Sequence, residues 1–244
     1  MLDSATVNNL IKICLGGLST RHKEIIEGRY GLTGSDSSTL AELGEKYNLT
    51  RERIRQIEAI AIKSAKTAAS GSSFDDFNKT VINNLKAAGG AKRENLLVES
   101  LVGNTQTNKL RFLLEMSGKF SYSKDVDETH PYWYLDNEDQ KSFTSFISQL
   151  SKNAERDNFG GVFASVARNI RLSDNVARNY ASISKKIGVN VYGDIGLSEW
   201  SEINPRTARD WAYLVLKKEK NPLHFSAIAE KVSKLRNKKA HAPT

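Results

Sequence analysis

The chain has 244 residues, 39% hydrophobic and 26% charged, with a formal net charge of +8 at pH 7. Those proportions exclude a disordered chain, and no apolar run nears the ~20 residues a membrane span needs, so no membrane partner is expected. A single cysteine, Cys14, excludes an internal disulfide framework and suits a reducing cytoplasm.

Helical periodicity dominates the chain. A first helix is predicted over roughly Ser4 to Leu15. Asp3 and the lack of a basic n-region argue against a secretory signal, and Cys14 reads as a small core residue rather than a nucleophile. In "GGLSTRHKEIIEGRYGL", Ser19 or Thr20 can cap a second helix whose Ile25, Ile26 and Tyr30 face inward. The loop "TGSDSS" then leads into "TLAELGEKYNLTRERIRQIEAIAIKSAK", and the small polar run "AASGSS" closes a first module near residue 70.

Residues 74–137 offer three helical runs and a strand pair, "KFSYS" and "HPYWYL", around the acidic turn "KDVDET". Three helices and a two-stranded wing make a winged helix. The pattern recurs over 138–200, with "VNVYGDI" as its candidate strand, and a last unit begins near Ile203. The fold class expected is mostly α: tandem helix-turn-helix and winged-helix domains with small β wings, over 1–70, 74–137, 138–200 and 203–244.

Charge is segregated along this plan. Residues 205–244 hold ten Lys/Arg against three Asp/Glu, whereas 119–140 hold two against six. The basic excess favours a polyanionic partner, nucleic acid above all.

Residues 39–47 and 51–66 form two helices joined by "NL". Gly44 falls where they cross, and Asn48 falls at a turn where a left-handed backbone is tolerated. Leu40, Leu43, Leu49, Ile54 and Ile57 make one apolar seam, the spacing of a helix-turn-helix. Thr50 can cap the second helix, though Arg53 at its third position leaves no full capping box. Residues four apart share a helix face, so Arg51 lies beneath Arg55 and Glu52 beneath Gln56, opposite the seam. In a helix-turn-helix the N-terminal end of the second helix enters the major groove. Arg can fork onto guanine O6/N7, Gln onto adenine N6/N7, and Glu can accept from cytosine N4. Arg51, Glu52, Arg55 and Gln56 are therefore the base-contacting candidates, and Arg53, Lys63 and Lys66, with Thr50, suit phosphate. A merely solvated face is the weaker account, because arginines four apart repel.

"LSTRHKEIIEGRYGL…TLAELGEKYNLTRERIRQIEAIAIKSAK", about residues 18–67, closely resembles the fourth conserved region of bacterial sigma-70 family factors, which recognises the minus-thirty-five promoter element. The resemblance implies base contacts by Arg51, Glu52, Arg55 and Gln56 and places Thr39 and Leu40 against the phosphate backbone. It also makes the beta-subunit flap of RNA polymerase a candidate partner. Nothing in the chain resembles the sigma region that melts promoter DNA. At the other end, "AYLVLKKEKNPLHFSAIAEKV" resembles the start of a HARE-type winged helix, found in the polymerase delta subunit and other DNA-associated proteins. The expected recognition helix and wing do not follow before "NKKAHAPT", which reads as a truncated domain with Thr244 at the cap of the next helix.

A second candidate DNA surface lies in the third unit: Arg178, Lys185 and Lys186 on its presumed recognition helix, with Arg168 and Arg171 just upstream. A solvated basic face accounts for these nearly as well. The second unit offers only Lys109 and Arg111 on its third helix, and Asp125, Asp127 and Glu128 at its wing tip repel phosphate, so it reads as a spacer or protein-binding module. Enzyme readings find little support: His22, His130, His224 and His241 are scattered, no zinc spacing exists, and "GGAKRE" lacks the phosphate-loop spacing. No cofactor or metal is expected. The expectation is a cytoplasmic, nucleoid-associated bacterial protein that binds double-stranded DNA and regulates transcription. The alternatives are a polymerase-associated factor and the DNA-targeting part of a defence nuclease.

Overall fold

The computed structural model describes residues 1–34, 36–103, 106–219 and 221–241; the expected cap at Thr244 lies outside them. Among these residues the fold is mostly helical with two small antiparallel sheets. The four expected segments are gathered into two compact units: Met1–Ser123 with Tyr132–Gln140, and Lys124–Pro131 with Lys141–Thr244.

In the first unit α1 (Ser4–Leu15) starts at Asp3, whose carboxylate accepts from the Thr6 amide at 2.6 Å. Ser19 caps α2 (Thr20–Tyr30), and Gly31 ends it in the left-handed conformation that glycine adopts without penalty. The helix-turn-helix follows as α3 (Leu40–Tyr47) and α4 (Arg51–Ala69). Beyond it come α5 (Asp75–Ala87), β1 (Ala91–Arg93), α6 (Glu94–Leu101), α7 (Thr107–Ser117), β2 (Ser121–Ser123) and β3 (Tyr132–Tyr134). The expected wing pair forms as β2 and β3, and β3 is the centre of the sheet. Its other edge is β1, Ala91 facing Tyr134 and Arg93 facing Tyr132. Nothing in the sequence announces β1, because three residues after two glycines are too short for alternation to show.

The linker "AASGSS" does not separate two modules. Ala69 within it and Phe74 just after it are both buried, and both belong to one core with Val7, Leu10, Leu15, Leu110, Phe112 and Leu113. Ala61, Ala65 and Ala69, four residues apart, form a stripe of small buried side chains along α4. Against α1, α2 and α4 lies α7, the helix that a winged helix would use for recognition. Phe112 meets Tyr30 edge-on at 5.0 Å, and Lys109 donates to Asn8 of α1 at 2.8 Å. Cys14 sits in the same core, where burial pushes its thiol up to about 12.

The second unit holds α8 (Asn137–Lys152) from Lys141 onward, α9 (Phe159–Asn169), α10 (Asp174–Ile183), β4 (Ile187–Val189), β5 (Ile195–Leu197), α11 (Ala208–Glu219) and α12 (Phe225–His241). Phe143 and Phe146 of α8 pack edge-on to Tyr180 and Phe163. Residues 189–195, expected as one strand, are instead the end of β4, a turn and the start of β5. Asn190 builds that turn, its side-chain oxygen accepting from the Tyr192 and Asp194 amides at 2.9 and 3.0 Å. The structure thus completes a three-helix unit with a two-stranded wing, and α11 and α12 pack together within the same body.

Candidate nucleic-acid interface

Helix α4 is held by a tight turn. A capping box opens α3: the Thr39 hydroxyl accepts from the Glu42 amide at 3.2 Å, and the Glu42 carboxylate accepts from the Thr39 amide at 2.7 Å. Asn48 closes α3 at φ 53. The Thr50 hydroxyl then caps α4, accepting from the Arg53 amide at 3.1 Å. A Cβ added to Gly44 would stand 2.7 Å from the Leu49 carbonyl oxygen, so only glycine lets the turn pass this close to α3. Ile25, Leu43, Ile54 and Ile57 form the core of this module, with Leu40, Tyr47 and Leu49 packed against it. The five-residue seam is therefore present, completed by Ile25 from α2.

This packing turns Ile54 and Ile57 inward and leaves Arg51, Glu52, Arg53, Arg55 and Gln56 exposed at the start of α4. The side chains are linked to one another. Arg55 donates two bonds to the Glu52 carboxylate, at 2.8 and 2.7 Å, and the fork holds that carboxyl below the usual range. Arg53 donates to the Gln56 side-chain oxygen at 3.1 Å. Gln56, which shares a face with Glu52, donates to the Glu52 carboxylate at 3.5 Å, the longest bond of the set. Exposed ion pairs contribute little, so this network opens at small cost. Lys63 and Lys66 lie exposed further along the helix; Thr39 is exposed and Leu40 half-buried at the head of α3.

Two supports for α4 lie too far apart in the chain for local spacing to show. Arg29 of α2 donates to Glu58 of α4 at 2.9 Å and to the Ser38 carbonyl at 3.1 Å, which ties the helix to the loop before α3. Arg21 donates to the Tyr47 carbonyl at 2.9 Å, satisfying the end of α3.

The other basic candidates are differently placed. Arg178 pairs with Asp174 at 2.8 Å, one turn earlier on α10. Lys185 and Lys186, expected on that helix, lie beyond its end at Ile183: Lys185 pairs with Asp125 and also donates to the Val126 carbonyl, and Lys186 pairs with Glu128 at 2.6 Å. The acidic 124–131 segment thus neutralises two of the five residues of the second candidate surface. Arg168 is exposed near the end of α9, and Arg171 is exposed in the following turn at φ 59. In the first unit Arg111 forks onto buried Glu94, which also accepts from the Trp133 indole at 3.2 Å. Lys109 and Arg111 are therefore internal fasteners.

Among the described residues no three His, Cys, Asp or Glu side chains converge as a metal site requires, and no helix is long and apolar enough to cross a membrane. Comparison with known proteins bears on the same stretch as the geometry. Residues 14–65 match the family model for sigma-70, region 4. RNA polymerase sigma factor SigA1 of Synechococcus elongatus is 42% identical over 65 residues, 25% of this chain and 16% of its own. RNA polymerase principal sigma factor HrdD of Streptomyces griseus is 41% identical over 75 residues, 31% of this chain and 21% of its own. The chain therefore spans about a fifth or less of the length of these relatives.

Proposed function

We propose that this protein binds double-stranded DNA in a sequence-dependent way and regulates transcription, with the N-terminal half of α4 in the major groove. One observation carries the reading: Arg51, Glu52, Arg55 and Gln56 stand exposed together on the first turns of a helix that a capped helix-turn-helix presents. That constellation lies within the segment matching sigma-70 region 4. Arg51, Arg55 and Gln56 supply the donors that guanine and adenine edges accept, and Glu52 the acceptor for cytosine. Thr39, Leu40, Thr50, Arg53, Lys63 and Lys66 flank the strip as its phosphate contacts.

The test is the binding of a fluorescent duplex carrying a minus-thirty-five-like hexamer against a scrambled one, across a salt series. Phosphate contacts alone give equal affinities that fall steeply with salt. The hexamer should bind about tenfold or more tightly, and Arg51→Ala or Gln56→Ala should each remove most of that preference. Equal binding of both duplexes by the unaltered protein sinks the reading.

A second reading follows from the names of the relatives, which are RNA polymerase sigma factors: a polymerase-associated factor whose sigma-like module docks on the beta flap, with DNA contact secondary. Such a factor keeps its polymerase affinity in the Arg51→Ala and Gln56→Ala variants. The HARE-type likeness of the C-terminal segment accords with either reading.

A further inference from the structure

The exposed face of α4 does not end at Gln56. Ala59 lies three residues after Gln56 and four after Arg55, Ile60 lies four after Gln56, and both are exposed. Ile60 shows 57% of its surface, whereas Ile54 and Ile57 of the same helix are buried and Ile62 is half-buried. Lys63 follows on the same face. A single exposed apolar residue on a protein surface is ordinary. This pair is set apart by position: it continues the one face that carries every candidate base-reading side chain, bracketed by Gln56 and Lys63.

A rise of about 1.5 Å per residue places Ile60 about 6 Å along the helix from Gln56, which is roughly two steps of a duplex. The apolar group that a major groove presents to such a side chain is the C5-methyl of thymine. Alanine and isoleucine side by side offer a methyl-sized step with a larger apolar wall. A phosphate partner would call for a donor at these positions, and neither side chain has one.

We propose that Ala59 and Ile60 form a thymine-methyl contact that extends the reading strip by one helical turn, with Ile60 as a specificity-determining residue. The inference rests on the reading of α4 as a groove-reading helix, and the experiment separates the two. The probe is a short fluorescent duplex selected by the full chain from a randomised pool. Each thymine is replaced in turn by uracil, which removes the methyl and leaves every hydrogen-bonding group in place. One or two replacements should weaken the unaltered protein about fourfold, the worth of one buried methylene-sized group. Ile60→Ala should weaken binding to the unmodified duplex by a similar factor and be indifferent to uracil at those positions, while the base preferences carried by Arg51 and Gln56 persist.

Indifference of the unaltered protein to every uracil, with the selected duplex still preferred over a scrambled one, overturns this inference and leaves groove reading intact. Retained uracil sensitivity in Ile60→Ala overturns it as well, because the methyl is then met by another residue. Failure to prefer any duplex removes both readings together.

Discussion

A single hydrogen on Gly44 decides whether the turn between α3 and α4 can close. A methyl there meets a backbone oxygen at 2.7 Å, and a carbonyl within a turn moves only if the turn moves. Alanine is the better helix former by roughly 1 kcal/mol, but forced overpacking costs typically ~1–3 kcal/mol. Gly44→Ala should therefore lower thermal stability and disturb the entry of α4, which a melt followed by circular dichroism and the duplex assay will show. An unchanged melting temperature with unchanged DNA binding means that the turn has more room than its geometry indicates. Gly44, Asn48 and Thr50 were all legible in the sequence, since each acts on its immediate neighbours. Arg29 was not, because Glu58 lies 29 positions away and only the crossing of α2 with α4 brings them together.

Among the elements, α7 shows how far local pattern can mislead. Its apolar spacing and its place after α6 read as the third helix of a separate winged-helix unit, one that serves as a spacer or protein-binding module. The helix instead buries Leu110, Phe112, Leu113, Leu114 and Met116. It packs on α1, α2 and α4, so the helix that reads DNA in other winged helices is a core element here. Phe112→Ala should cost about 3–5 kcal/mol, as for other fully buried phenylalanines. The loss should appear as weakened hydrogen-exchange protection in α1 and α2 as well as in α7, because the three share one core. Weakened protection in α7 alone sinks the shared core. Periodicity could not show this: a helix buried on several sides and a helix with one groove-facing side differ in what surrounds them, which local spacing does not record.

At the scale of the whole molecule, charge that looks alike in the sequence serves different ends. Lys63 and Lys66 extend from α4 into solvent, whereas Lys185 and Lys186 are engaged by Asp125 and Glu128. For duplex DNA, the slope of log affinity against log salt falls by roughly 0.9 for every phosphate that a protein ceases to neutralise. Replacing both Lys63 and Lys66 by alanine should reduce that slope by about 2, whereas the same change at Lys185 and Lys186 should leave it unaltered. Equal reductions in the two variants would show that the 124–131 segment releases its lysines to DNA.

Arg51, Glu52, Arg55 and Gln56 mark what the sequence by itself determined. Helix period, caps and turn residues act over a few positions, so the helix-turn-helix, its apolar seam and its polar strip could be read directly. The merging of 1–70 with 74–137, the use of α7 as core, the edge strand β1 and the neutralised lysines were decided by tertiary structure. Each depends on residues distant in the chain meeting in space, through burial of apolar surface that no single helix can complete and through ion pairs whose partners have no fixed spacing.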